Sequence, residues 1–587
     1  MAEKKSFESS LHDIVYSIDM GVGLKIIRGL LYFLVLLLVI GIYTATQYRG
    51  LKTDEAMDFA QLGRNMSIQD GMTTQFVRPL SMWKMNEKEG SPQIQNHPDL
   101  FHPPAYPALL SVGFNLLKSS GSDLFDVDLS KTGLKAEKWV ILPINHLFSI
   151  LTGLMVLLIG KRLFSHEIGF IGMTIYYLSD LVWKDSISGL NISMAIFCMV
   201  AAFYFMIVSM LNKRDGKTKV RWLVPFFLSI LFAAIAFLTR YISIVAVPGL
   251  CLFAWLMTGR FHGGTRYVIL FTLLFSLLIT PWLIRNVRVC GNPLGMVAYT
   301  ALSGTEHFPD NTLERDLKPD FTLGSSLDWV KEKWVQTYLD HHPAAIPAIG
   351  GGILTAMFLV AFFYHFMRPQ VNYLRWGIGI SLLLMLVVAG FFSDSSVAML
   401  HAFWPFIILY GLSFFYILID RLDLGVPLYE QGLKVLIVVL AMIPGILRIM
   451  PPRAEHLYPP YYPPYIADVA ASVNSNEVVC TDMPWATAWY GDRMSMLLPR
   501  TMDQYFDVDF MNVGKGYSAI RALYLTRITS DKPFSAIYDN NEKVWFGLLE
   551  RQRPAQFPGW AAYNLLPGEI LWLDPARKVV LESTSEG

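Results

Sequence analysis

The sequence predicts an all-α polytopic membrane protein of about eleven transmembrane helices, with amphipathic helices on its outer face and a small C-terminal α/β domain. Three observations predict it. Apolar residues make up 53% of the 587 positions and charged residues 16%, whereas soluble domains run at about 45–50% and about 25%. Apolar runs close to the span length of about 20 residues recur along the chain. Basic residues gather at every second loop between those runs, as the positive-inside rule asks of a multi-pass protein.

The first run, 27–46, follows a stretch carrying Lys4, Lys5, Lys25 and Arg28. It starts late and has no small-residue cleavage motif, so it reads as a signal anchor behind a cytoplasmic N-terminus, 1–26. The remaining runs are 138–160, 167–183, 187–211, 222–239, 241–258, 267–284, 346–367, 376–393, 398–419 and 432–450. Basic clusters follow at Lys161-Arg162, Lys213 to Arg221, Arg260 with Arg266, Arg368 with Arg375, and Arg421 with Lys434. The expected location is the inner (plasma) membrane. Residues 27–450 form its membrane domain, and the loops 47–137 and 285–346 and the tail 451–587 lie on the periplasmic, extracytoplasmic side.

In the first outer loop Ala56, Phe59, Ala60, Gly63 and Met66 recur at helical spacing, as do Leu109, Leu110, Gly113, Leu116 and Leu117. Two amphipathic helices lying on the membrane and roofing a cavity account for both patterns. Pro103-Pro104 suits the first turn of the second helix. The tail opens with Tyr458-Pro459-Pro460-Tyr461-Tyr462-Pro463-Pro464, a stiff linker. Strand-like runs at Glu477–Thr481, Met494–Leu498, Ala522–Leu525 and Ile570–Leu573 then alternate with helical or turn segments, which predicts a small α/β domain.

A net charge of +1 gives no case for nucleic acid as a partner. The chain carries no Gly-x-x-x-x-Gly-Lys loop, no His-Glu-x-x-His and no Gly-x-Ser-x-Gly. Of four cysteines, Cys198 and Cys251 suit small core positions, while Cys290 and Cys480 share a membrane face that would allow a disulfide. Chemistry must then come from carboxylates and cations at the outer face. Asp54-Glu55 follows the first span directly and opens the helical run 54–66. A helix N-terminus favours such acids through its dipole, yet ionised groups at a membrane boundary are costly without partners. His102, Lys184, Asp185, Arg240, Arg285, Asp394 and His401 fall on the same side. Each alone suits interfacial snorkelling. Together the cations suit an anionic ligand, since the guanidinium fork matches phosphate.

Thr53-Asp54-Glu55-Ala56-Met57-Asp58-Phe59-Ala60, with Arg64 and Gly71, resembles the first outer loop of GT-C superfamily glycosyltransferases. The likeness is to the bacterial branch related to aminoarabinose transferase and protein O-mannosyltransferases. His102-Pro103-Pro104-Ala105-Tyr106-Pro107 is similar to that branch's His/Lys-Pro-Pro segment. Thr239-Arg240-Tyr241, Pro281-Trp282, Arg285-Asn286 and Gly291-Asn292-Pro293 resemble it further, and the run Asp482 to Arg493 resembles the start of its appended outer domain. The resemblance implies a GT-C-like membrane enzyme that moves a sugar from a polyprenyl-phosphate donor, such as an undecaprenyl-phosphate sugar, to a glycolipid, polysaccharide or protein acceptor, with inversion. It implies Asp54 as general base, with Glu55 beside it, and His102, Arg240 and Arg285 at the donor phosphate. Arg64, Lys184, Asp185 and His401 are further candidates for substrate contact. No cofactor is required and no metal ligand is assigned, although a divalent cation on Asp54 and Glu55 is admissible.

Two segments depart from the family. Gly189-Leu190-Asn191 stands where relatives often carry Ser-Glu, and Met399-Leu400-His401 where they often carry Arg-Tyr. Asp185 is the candidate substitute for the missing acid. The rival reading is a transporter or flippase for a lipid-linked or anionic substrate, which would also keep charges in the bilayer. Against it, the two halves show no internal repeat and the main charged cluster sits in an outer loop. The sugar, the acceptor and the oligomeric state stay open.

Overall fold

The computed structural model describes residues 22–68, 71–89, 94–118, 124–125, 134–259, 263–321, 323–340, 352–392, 397–422, 425–450, 462–513, 519–532, 537 and 542–575. Among them nine helices are long and apolar enough to cross a membrane: Gly23–Gln47, Glu137–Leu163, Ile192–Arg214, Lys219–Thr239, Tyr241–Thr258, Gly264–Cys290, Pro369–Ala389, Ala398–Leu422 and Pro427–Arg448. Each falls on an expected span. The run 167–183 instead forms two shorter helices, His166–Leu178 and Asp180–Ser186, because Ser179 between them is extended. The run 346–367 is described only as Ile353–Phe363. Lys4, Lys5, Asp394 and the linker through Tyr461 lie outside the described residues.

Burial sorts these helices. Ile192–Arg214 and Ala398–Leu422 are enclosed on most sides, whereas Gly23–Gln47 and Pro427–Arg448 leave most of their apolar surface open. A bilayer supplies the apolar surroundings that the peripheral helices lack. Small residues set the closest approaches. A Cβ on Gly160 would stand 2.4 Å from the Gly169 Cα, and one on Gly249 would stand 2.2 Å from the Gly377 carbonyl.

At one end of the bundle a six-stranded sheet is built from β1 (Phe76–Val77), β2 (Val478–Thr481), β3 (Met494–Leu497), β4 (Ile520–Leu525), β5 (Ala561–Asn564) and β6 (Ile570–Leu573), in the order β1-β3-β2-β4-β6-β5. The first four in that order pair in parallel; β6 runs antiparallel to β4 and to β5. Strand alternation divides the side chains between two cores. Val479, Ala522, Tyr524, Leu571 and Leu573 join the core that continues into the spans, and Val478, Cys480, Leu523 and Trp572 face a separate core with Tyr505 and Trp545.

The edge strand β1 comes from the first loop, so the loop and the tail share one sheet. This changes the expectation of surface helices. Asp54–Ser67 is buried along most of its length, between Ala105–Lys118 and Pro484–Gly491. Arg64 fastens it there by donating to the Ala488 and Trp489 carbonyls at 2.6 and 2.9 Å, which satisfies last-turn acceptors of Pro484–Gly491. The buried Glu137 accepts from Tyr48 at 2.6 Å and from the Trp489 indole at 2.8 Å, joining loop, span and tail. Trp489 is therefore a core residue. All four cysteines are free and buried, so Cys290 and Cys480 form no disulfide.

Candidate active site

A cavity of about 810 Å³ opens where the first loop, the span ends and the segment 297–337 meet. Asp54, Glu55 and Phe59 form one wall, Arg78, His102 and Pro103 a second, and Asn191, Arg240 and Tyr241 a third. Thr300, Ser303, Asp310, Glu314, Lys333 and Gln336 close the far side. Local structure aims the acidic pair. Thr53, in extended conformation, is the N-cap of Asp54–Ser67 and accepts from the Ala56 amide at 3.3 Å. The hydroxyl does the capping, which leaves the Asp54 and Glu55 carboxylates in the first turn, favoured by the helix dipole and turned to the cavity.

The two acids have different surroundings. Glu55 pairs with Arg240 at 3.1 Å, and Arg240 also donates to Asn191 Oδ1 at 2.6 Å. Asn191 holds its own place through Thr239, to whose carbonyl it donates at 2.5 Å. An amide oxygen thus serves Arg240 beside the Glu55 carboxylate. Asp54 is solvent-accessible and forms no salt bridge among the described residues. The protein around it pushes its carboxyl above the usual value, and the neighbouring Glu55 charge adds to this. The backbone N–H of Glu55, 2.8 Å from Oδ1, works in the opposite direction.

Behind this rim lies a buried charge network. Asp58, with no exposed surface, accepts from Arg78 at 2.8 Å and from Gln61 at 2.8 Å. Arg78 reaches Glu314 at 3.0 Å and lies over the rings of Phe76 and Phe101. His102 stands 3.2 Å from Asp99 and 3.7 Å from Asp58. Burial opposes the His102 charge, yet Asp58 and Asp99 overcome it and push the imidazole up to about 9. Burial likewise opposes the Asp99 charge, and His102 nevertheless holds its carboxyl below the usual value.

Of the expected site residues, the fold brings Asp54, Glu55, His102 and Arg240 to one cavity. Arg285 is not in its lining. Its guanidinium donates to the Asp99 carbonyl at 2.7 Å and lies over Trp282, so it braces the turn carrying His102. Arg64 is buried between helix and tail. Asp185 and His401 pair with each other at 2.6 Å in a separate small pocket, so Asp185 does not replace the missing acid beside Asn191. Lys184 is exposed, away from the cavity. Asp58, Arg78, Glu314 and Lys333 were not expected from the sequence. Asp58 had a signal, lying four residues after Asp54 on the same helical face. The carboxylates nearest Asp54 are committed to cations, and among the described residues no three His, Cys, Asp or Glu side chains gather as a metal site.

Residues 93–289 match the family model for dolichyl-phosphate-mannose-protein mannosyltransferase. None of the curated proteins matches in sequence. Among solved structures, the chain is similar to ArnT from Cupriavidus metallidurans bound to undecaprenyl phosphate, at 12% identity and a TM-score of 0.52, over 93% of this chain and 97% of that one. It is also similar to the oligosaccharyltransferase AglB from Archaeoglobus fulgidus in complex with an inhibitory peptide and a dolichol-phosphate, at 11% identity and a TM-score of 0.53, over 93% and 74%. An Archaeoglobus fulgidus oligosaccharyltransferase in complex with Zn and sulfate gives 12% identity and a TM-score of 0.53, over 92% of this chain and 73% of that one. These likenesses establish a GT-C fold.

Proposed function

We propose that this GT-C-fold membrane protein is a glycosyltransferase that moves a sugar from a polyprenyl-phosphate donor to an acceptor hydroxyl, with inversion, at the extracytoplasmic face of the membrane. The observation that carries the reading is the contrast inside one cavity: Asp54 is accessible with no salt bridge among the described residues, and cations line the same space. The ligands named with ArnT and AglB, undecaprenyl phosphate and dolichol-phosphate, are of the donor class that such a space would accept.

In this mechanism Asp54 takes the proton of the acceptor hydroxyl as its oxygen attacks the anomeric carbon. The bond from that carbon to the phosphate oxygen breaks, and the electron pair leaves with the polyprenyl phosphate. Arg240 and His102 stabilise the charge growing there. Glu55 holds Arg240, while Arg285 and Asp99 hold His102 from behind. A paired phosphate leaves without a second acid, unlike the alcohol of a glycoside hydrolase. No step needs a resident cofactor or a metal. The basic loops at the far end of the spans support placing the cavity and tail outside and the N-terminus in the cytoplasm. Asp54→Asn tests the reading in membrane vesicles given radiolabelled donor lipid: transfer should be lost while donor binding persists, and undiminished transfer overturns the mechanism.

A further inference from the structure

A second concavity, of about 660 Å³, lies at the opposite end of the spans. Ile192–Arg214 begins beside Asn191 in the first cavity and ends at Arg214 in the second. Its 23 residues set the two about 34 Å apart. Three separate segments converge there. Lys161 and Arg162 end one span, Arg214 and Lys217 follow another, and Arg368 precedes a third. Against these five cations, the described lining holds one carboxylate, Asp215.

The cations are held in place from within. Arg214 donates to Gln370 at 2.9 Å and pairs with Asp215 at 3.1 Å. Arg162 donates to Asn212 at 3.1 Å, and Arg368 to the Leu163 carbonyl at 2.9 Å. Lys161 and Lys217 form no salt bridge among the described residues. The positive-inside rule accounts for the number of basic residues in each loop, but it acts loop by loop and asks for no convergence. The excess of five basic groups over one acid around a single hollow makes it attractive to an anion.

The floor is apolar, formed by Leu158, Tyr204 and Leu211. From it an open strip continues along the span: Leu154 and Leu147 lie on the face of Leu158 by helical spacing and are 40% and 51% exposed. A free anion has no use for such a strip, whereas an acyl chain does. We infer that this concavity binds the headgroup phosphate of an anionic phospholipid, with one acyl chain along Leu158, Leu154 and Leu147. The site is separate from the proposed reaction, and the inference stands whether or not the chain transfers sugar.

The test is native mass spectrometry of the full chain, released from detergent micelles containing equal amounts of phosphatidylglycerol and phosphatidylcholine. The expected result is one retained phosphatidylglycerol in preference to phosphatidylcholine. Lys161→Gln with Lys217→Gln should weaken that retention by about tenfold or more, since each basic group near an anionic headgroup contributes measurably. Lys25→Gln with Arg28→Gln, on a helix that does not line the concavity, should leave retention unchanged. Equal retention of the two lipids overturns the inference, as does a double variant that binds like the parent. Displacement of phosphatidylglycerol by millimolar inorganic phosphate, with the acyl-strip variant Leu154→Asn binding like the parent, overturns it in favour of a free-anion site.

Discussion

Asp54 and Asp58 lie one turn apart on the same helix and differ in what surrounds them. Asp58 is sealed from water and gripped by Arg78 and Gln61, with His102 beyond. Asp54 stands at the cavity rim with no salt bridge among the described residues. A carboxylate already bonded to a guanidinium is a poor proton acceptor and a good strut; one left open and raised in pKa is suited to taking a proton. On the proposed mechanism the helix therefore separates a holding acid from an acting acid within four residues.

Asp54→Asn tests the acting side and carries the largest expected effect. General-base catalysis contributes about 100- to 10,000-fold, so transfer should fall by that order while thermal stability stays near that of the parent. Because the protein packed around Asp54 and the neighbouring Glu55 charge raise its carboxyl, the acid limb of the rate profile should also lie above the ordinary aspartate value of about 3.9. A limb at or below that value would assign the base role elsewhere.

Arg78→Gln tests the holding side. It removes the guanidinium hydrogen-bonded to the buried Asp58 and leaves only the more distant His102, a loss of the kind that costs about 3–5 kcal/mol in buried pairs. The expected outcome is a large drop in the thermal midpoint of the detergent-solubilised protein, with transfer lost as a consequence. Arg78→Gln/Asp58→Asn removes both charges and should recover much of that stability. A single variant as stable as the parent breaks the distinction between the two acids.

The sequence reading located the spans well because a bilayer imposes one strong rule, a long apolar run for each crossing. That Asp54, Glu55, His102 and Arg240 would share one region was legible because they sit at span ends or beside a Pro-Pro turn, where local pattern and membrane face coincide. The sequence reading missed Arg78 and Glu314, which meet across 236 positions of chain and carry no periodic signal of their own. It also missed β1, two residues long, whose partner β3 lies in the distant tail. Asp54–Ser67 misled for a related reason. Its apolar positions recur at helical spacing, but its polar face is buried too: Gln61 and Asn65 find partners at Thr74 and Thr73 of the same loop, and Arg64 in the tail, which composition cannot show.

His102 joins the two sides and gives a pH test. Its folded value of about 9 exceeds the unfolded value of about 6.5. The stabilisation it supplies is therefore fully present below about 6.5 and is lost as pH rises through about 9. The thermal midpoint should fall between those values as pH is raised, and His102→Gln should flatten that part of the profile. An unchanged slope in the variant would remove His102 from the network.

The smallest expected effect belongs to Glu55→Gln, and its direction is the informative part. Glu55 and Arg240 form a largely buried pair, with side-chain exposures of 23% and 8%, but Asn191 keeps its hydrogen bond to Arg240 when the carboxylate is removed, which limits the cost. Removing the carboxylate leaves Arg240 hydrogen-bonded to Asn191 and lowers the negative charge beside it. Arg240 should then bind a donor phosphate more tightly and release the polyprenyl phosphate product more slowly. The donor KM and kcat should both fall, each by less than about fivefold. A donor KM that rises tenfold with kcat unchanged would mean that Glu55 itself touches the donor, and the rim would then contain two acting acids.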